Sequence, residues 1–258
     1  MRHLWSILLA VSFVTAEENH WSYVIPNISK IPEVDSHDWV TNEIDSFILS
    51  KMERNGLKQS DTQSPERLIR RLYLDLVGVP PSLNEVDSFL LDPSVNHYSE
   101  IVDKLLSSKH FGEKWAISWL DLARYADSDG YQRDGFRNVW PYRDWVIRSL
   151  NADMPYDQFT IEQLAGDLIV NATESQKIAT GFNRGPTLNL EAGTDPEEDR
   201  VKQVVDRVNT TATVWLGTSL ECAQCHDHKH DPFSIKELTM GTKFSGLPIF
   251  FNPCKLME

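Results

Sequence analysis

The sequence has few cysteines, no excess of positive charge and no long apolar run after its first residues. Three cysteines in 258 residues are too few for a fold built on disulfides. Lys and Arg total 25 against 38 Asp and Glu, so the formal net charge is −13. This acidity argues against a nucleic-acid or anionic-membrane partner and suits a basic partner protein. No segment after residue 16 is apolar enough to span a membrane.

Patterns typical of β-structure and of internal repeats are also absent. No series of alternating strands with hairpin turns is present, and no segment recurs at a fixed period. Apolar residues recur at helical spacing instead, often after a capping residue. We therefore predict a mainly α, multi-helix single domain. The predicted helices cover residues 43–54, 65–77, 83–90, 97–107, 112–126, 140–150, 156–168, 173–183 and 196–216.

The last of these is the longest predicted helix, and it has the clearest start. Asp195 is a good N-cap, Pro196 suits the first helical position, and acidic residues follow in the first turn. Valines at helical spacing continue the pattern as far as Gly217. The helix therefore leads into a cysteine-containing loop near the carboxyl end of the chain.

That loop contains two of the three cysteines and three of the eight histidines, in the string CAQCHDHKH (222–230). The spacing C-x-x-C-H is typical of covalent attachment of haem c. Two thiols three residues apart can each add to one vinyl group of a porphyrin, and the adjacent imidazole can bind the iron. We therefore predict that Cys222 and Cys225 hold a haem and that His226 is its proximal ligand.

The same residues permit other interpretations. With His228 or His230 as a further ligand, the two cysteines and His226 would form a set suited to structural zinc. A redox dithiol is disfavoured because no βαβ pattern surrounds the motif. A plain disulfide or chance spacing stays open. As a second iron ligand the sequence offers Met240, His228 or His230, although both histidines lie close to His226 in the chain. A histidine from an earlier segment, such as His37, His97 or His110, is equally open.

The first residues predict export. A basic start, an apolar stretch at 4–14 and small residues before Glu17 describe a signal peptide at residues 1–16, with an uncleaved anchor as the alternative. We predict an extended arm at 17–41 and a helical cytochrome-c-like domain at 42–258. The mature protein is expected to be periplasmic or extracellular and to have no integral membrane segment after cleavage.

Seven segments of the chain carry a family resemblance: HWSY (20–23), LYLDLVGVPP (72–81), WLDLARYADSDGY (119–131), YRDWV (142–146), QLAGD (163–167), DRVNTTATVWLG (206–217) and CAQCHDHKHDP (222–232). Together they resemble the planctomycete cytochrome-c-like domain family, an uncharacterised family of exported proteins. The resemblance implies a haem-c protein of unestablished activity. In longer chains the family stands beside another cytochrome-like domain and a second uncharacterised domain, which this sequence lacks.

The sequence departs from the family pattern at two places. Ser118 precedes Trp119 where members usually have histidine, so one possible second iron ligand is missing. Residues 238–243 interrupt the pattern, which resumes at 244–252, and we interpret 238–258 as atypical. A natural short form, a truncated reading frame and a damaged copy are all compatible with this end.

Two classes of function follow from the sequence. The first is an exported electron-transfer protein with haem c and a redox partner protein. The second is a binding or catalytic module with an open haem, or a metal hydrolase that uses the His and Asp residues near the motif. Structural zinc in a domain without redox activity is the alternative to haem, and the sequence does not decide whether the protein is an enzyme.

Overall fold

The computed structural model describes residues 24–191, 193–236 and 238. The predicted signal peptide, residues 17–23 of the predicted arm, Met240 and Cys254 lie outside this range. Contacts between Cα atoms divide the chain into two compact units, Met1–Asp61 and Thr62–Glu258. Each is described separately below.

The prediction of a mainly helical fold is confirmed. The described residues contain nine α-helices and no β-strand, with one isolated bridge between Ser128 and Phe136. None of these helices combines the length and the apolar character needed to cross a membrane. In chain order they are α1 (Glu43–Arg54), α2 (Pro65–Val77), α3 (Leu83–Leu91), α4 (Val95–Leu106), α5 (Lys109–Leu122), α6 (Trp140–Asn151), α7 (Tyr156–Ala165), α8 (Glu174–Ala179) and α9 (Pro196–Thr211).

Two helices begin earlier than the apolar pattern predicted, because a serine caps each of them. The Ser94 hydroxyl accepts the backbone N–H of His97, so α4 starts at Val95 rather than at 97. Ser108 accepts the N–H of His110 in the same way, so α5 starts at Lys109. The prediction for α5 also ended too late. Arg124 has a left-handed backbone (φ 55°), which stops the helix before residue 126.

The first unit contains α1 and a short 3-10 turn, His37–Trp39. Asn42 and Asp45 form a capping box at the start of α1. Near the other end of the helix, the carboxylate of Glu53 accepts the backbone N–H groups of Asp35 (3.1 Å) and Ser36 (3.3 Å). The chain before α1 is therefore fixed to the helix by charge-assisted hydrogen bonds.

The second unit has two main apolar cores. One lies among α2, α3 and α4 and is centred on Ile69 and Phe89, which are almost fully buried. The other forms where α5 packs along α6 and receives α7, with Trp145 and Val146 at its centre. The Trp145 ring stacks on Phe159 at 5.3 Å between centroids. Burial of such side chains is the main favourable term in folding.

A third, smaller cluster positions the cysteine motif. Its buried members are Ala212, Leu220, Ala223 and Leu238, with Val208 and Phe233 packed against them. Because Val208 belongs to α9 and Ala223 to the motif, this cluster joins the longest described helix to the loop that follows it. The predicted order, a cysteine loop directly after the longest helix, is thereby confirmed for the described residues.

Between α9 and the motif the helix changes its hydrogen-bonding pattern. Ala212–Leu216 is a π-helical segment, and Gly217 ends it in the left-handed conformation (φ 63°). Trp215 leaves this segment toward the main core, where its ring meets Trp119 and Phe182 edge-on. Its indole N–H also donates to the Thr160 hydroxyl at 3.0 Å. The segment is thus anchored in two clusters at once.

Candidate functional site

Cys222 lies within a short 3-10 turn, Glu221–Gln224, and Cys225 caps the end of that turn. The N–H of Cys225 donates to the carbonyl of Cys222, three residues earlier. Side chains three residues apart in a 3-10 helix eclipse one another, and from this spacing we infer that the two thiols face the same way. Both cysteines are free and exposed. The turn therefore offers two accessible thiols on the same side.

Ala223 fixes the orientation of this turn. It is fully buried, at 0% exposure, and packs in the third cluster with Ala212 and Leu220. Its N–H donates to the carbonyl of Leu220 at 2.9 Å. Because the methyl group of Ala223 lies in the cluster, the cysteines on either side of Ala223 and Gln224 are left at the surface.

His226 follows the second cysteine and is exposed. Its Nδ1 lies 2.8 Å from the backbone carbonyl of Asp227. A carbonyl oxygen can only accept a hydrogen bond, so Nδ1 must carry the proton. In the neutral ring Nε2 then holds the free lone pair, which is the atom that a metal would bind.

His228 has the opposite arrangement and is largely buried, with 10% of its side chain exposed. Its Nδ1 accepts the backbone N–H groups of Asp231 (2.8 Å) and His230 (3.2 Å). Nδ1 is therefore unprotonated, and the proton of the neutral ring is on Nε2. The Asp231 carboxylate lies 3.6 Å from Nδ1, which is too far for a hydrogen bond. To bind a metal through Nε2, His228 would have to give up both backbone bonds.

Two nearby carboxylates also hold the loop. Asp231 accepts the hydroxyl of Thr218 at 2.7 Å, and Asp227 accepts the N–H of Ile235 at 2.9 Å. The N–H of His228 donates to the carbonyl of Phe233, which packs on the third cluster. In the described part of the chain, no three His, Cys, Asp or Glu side chains are grouped closely enough to hold a metal ion. The zinc set predicted from the sequence is thus not assembled among those residues.

The other residues considered as a second iron ligand lie at separate places in the chain. Met240 lies outside the described residues. His230 is exposed beside His228 and contributes its backbone N–H to that ring. Ser118 lies in α5, next to Trp119, whose indole N–H donates to the buried Gln163 at 2.8 Å. The identity of a second iron ligand therefore stays a prediction.

Sequence reasoning assigned no role to Ala223 or Thr218, and it considered Asp231 only as part of the His and Asp cluster of a metal hydrolase. Alanine inside C-x-x-C carries no chemistry, and its burial follows only from contacts with distant residues of the cluster. The bond between Thr218 and Asp231 joins residues thirteen apart without any periodic pattern. The one indication in the sequence was Gly217, which marks the turn where this loop begins.

Comparison with known proteins gives a family but no function. A family model described as PSCyt2, protein of unknown function (DUF1549), matches residues 43–247. The matched range includes all nine described helices and the whole cysteine motif. No curated protein and no solved structure matches the chain.

Proposed function

The chain belongs to the PSCyt2 family, whose function is unknown (DUF1549), and we propose that it is an exported haem-c protein that transfers electrons. One arrangement carries the proposal. Two free, exposed thiols lie three residues apart and are joined by a backbone hydrogen bond, and His226 follows with its Nε2 available. A bound haem would supply one-electron iron chemistry at this position.

Cys222 and Cys225 would form the covalent attachment. Each thiol adds across one vinyl group, so that an S–H bond and the C=C π bond are replaced by an S–C and a C–H bond. No oxidant or reductant is consumed. The reaction needs two thiols that reach neighbouring substituents of one ring, and the shared face of the 3-10 turn suits this requirement.

His226 would bind the iron through Nε2. The hydrogen bond from its Nδ1 to the Asp227 carbonyl keeps the ring in the required tautomer and restrains its rotation. Beside it, Ile235 is 42% exposed while its N–H is bound to Asp227.

Export and a basic redox partner complete the proposal. We expect attachment through C-x-x-C-H to take place outside the cytoplasm, and residues 1–16 have the features of a signal peptide. The mature chain would then begin at Glu17 in the periplasm or outside the cell. An excess of carboxylates over cations favours encounter with a positively charged partner.

The test is to express the full chain in a host with haem-attachment machinery and to compare variants at the motif. We expect a product that begins at Glu17, carries one haem in its intact mass and stains for haem after denaturation. Cys222→Ala or Cys225→Ala should reduce staining, and the double variant should abolish it. His226→Ala should keep the covalent haem but shift the absorption spectrum, because only the ligand is lost.

His228→Ala is the matched control, since this histidine lies two residues away and its ring is used within the loop. It should lower the melting temperature and leave the haem spectrum unchanged. A wild-type protein with no covalent haem and one bound zinc would overturn the proposal. In that case each single variant should lose zinc and melt at a lower temperature, because every ligand of a closed site is needed.

A further inference from the structure

A pocket of about 600 Å³ lies in the second unit, among α6, α8, the 3-10 segment Thr180–Arg184 and α9. Its walls include the apolar side chains of Pro141, Ile178 and Leu188. None of the motif residues, Cys222, Cys225 or His226, lines it. The pocket is therefore separate from the proposed haem site.

Cationic side chains are concentrated in this pocket although the chain as a whole is strongly acidic. Five Lys or Arg residues line it against two carboxylates, Glu174 and Asp199. Asp199 is engaged by the side-chain amide of Gln203 at 2.6 Å. The cations are Arg137, Lys177, Arg184, Arg200 and Arg207. In a chain with a net charge of −13, such a grouping gives a local positive field in a partly apolar cavity.

These cations are only partly neutralised by neighbouring residues. Arg200 forms a bidentate pair with Glu197 (2.7 and 2.8 Å), which does not line the pocket. Within the described residues, neither Lys177 nor Arg184 has a carboxylate within 4 Å. Both side chains are at exposed positions on the pocket lining, where a ligand can reach them.

Arg137 adds a buried donor that has no hydrogen-bond partner. Its side chain is only 9% exposed, and its Nη1 donates to the carbonyl of Pro186 at 2.9 Å. Its Nε makes no hydrogen bond among the described residues, although it forms an ion pair with the Asp129 carboxylate at 3.6 Å. Burial, together with the charge of Arg184, lowers the pKa of the Arg137 guanidinium. Unpaired buried donors are uncommon and often mark a site where a ligand supplies the partner.

We propose that this pocket binds a small organic oxyanion, whose carboxylate, sulfate or phosphate group contacts the guanidinium groups and whose apolar body contacts the walls. Arginine suits such groups because its planar fork donates two parallel hydrogen bonds. A cavity of this volume is in the range of small-molecule sites. Arg137 would be oriented by Pro186 and Asp129, and Arg184 would approach from the rim.

The test is calorimetric titration of the purified full chain with phenyl phosphate, phenyl sulfate and benzoate. Benzyl alcohol serves as the neutral probe of similar shape. We expect at least one anion to bind and to raise the melting temperature, with affinity falling as salt is added. The ranking of the three anions identifies the preferred group. Absence of binding by all three, or equal binding of benzyl alcohol, would overturn the proposal.

A matched pair of variants locates the site. Arg184→Gln removes an exposed arginine on the pocket lining, whereas Arg148→Gln removes an exposed arginine of α6 that does not line the pocket. The first should weaken binding on the order of tenfold or more, and the second should leave it unchanged. Lys177→Gln provides a second lining variant. Equal affinities for Arg184→Gln and Arg148→Gln would refute the assignment, and the Cys222→Ala, Cys225→Ala double variant should bind as wild type.

Discussion

Two histidines near the motif differ in tautomer because of the group that faces Nδ1. At His226 this group is a carbonyl oxygen, which can only accept, and at His228 it is a pair of backbone N–H groups, which can only donate. The same residue type thus has an unprotonated Nε2 in one place and stabilises the loop through Nδ1 in the other. The difference arises from backbone geometry over a few residues.

The first prediction concerns these protons in the haem-free protein. In mildly alkaline solution, long-range ¹H–¹⁵N spectra should show His226 mainly as the Nδ1–H tautomer and His228 as the Nε2–H tautomer. His228→Ala serves to assign the signals. Observation of His226 mainly as the Nε2–H tautomer would contradict the geometry and would remove the argument for Nε2 as the iron ligand.

Among the helices, the packing of α2, α3 and α4 depends on one carboxylate at the start of α3. Glu85 accepts the N–H and hydroxyl of Ser82 (2.9 and 2.8 Å) and the ammonium of Lys104 in α4 (3.1 Å). The Tyr73 hydroxyl of α2 also helps to lower the pKa of this carboxylate. These bonds, led by the backbone bond from Ser82, lower the pKa of Glu85 from 4.5 to about 2.

The second prediction is a pH-dependent loss of stability in Glu85→Gln. Because the folded pKa is lower than the ordinary value, the charged form stabilises the fold above pH 4.5, and this contribution is lost as the pH falls toward 2. Glutamine keeps the capping geometry, so we expect a loss of about 1 kcal/mol in the free energy of unfolding at pH 7. Urea unfolding between pH 7 and pH 3 should show the difference narrowing below pH 4.5.

The control for this experiment is Glu100→Gln, an exposed carboxylate of α4 that is not part of the Glu85 contacts. It should change the free energy of unfolding little at any pH in the range. The difference in the free energy of unfolding between wild type and Glu85→Gln could instead stay constant or widen as the pH falls. Either result would show that the charge of Glu85 does not stabilise the packing of these helices.

At the scale of the whole chain, what the sequence could predict was set by local interactions. The start of α9 followed from Asp195 and Pro196, and the end of α2 from Gly78, because caps act within one turn. The π-helical segment was not predicted, since its shifted hydrogen bonds go with the packing of Trp215 in the main core and of Ala212 in the third cluster. The pattern of apolar and polar residues along the chain does not show which distant side chains come into contact.

The two candidate sites also differ in how much of each could be predicted from the sequence. The cysteine motif is contiguous, so it was visible in the string of residues, whereas the burial of Ala223 came from tertiary packing. The cationic pocket gave no indication in the sequence. Its arginines come from α9 and from separate loops, with Arg137 and Arg207 seventy positions apart, and no spacing rule relates them.

The last prediction follows from the net charge of −13, because the surplus carboxylates repel one another in the folded chain. At pH 7, raising sodium chloride from about 0.01 M to 0.15 M shortens the screening length from about 30 Å to about 8 Å and weakens this repulsion. Exposed ion pairs such as Lys202 with Glu198 also weaken, but each contributes little. We therefore expect the melting temperature at pH 7 to rise with salt.

Repeating the measurement near pH 5.0, the isoelectric point of the sequence, separates this effect from anion binding in the pocket. There the net charge is close to zero and the rise with salt should disappear. Arginines stay charged at both pH values, so stabilisation by chloride bound near Arg137 and Arg184 would persist at pH 5.0. A melting temperature that falls with salt at pH 7 would show instead that attractive pairs outweigh the repulsion among the surplus carboxylates.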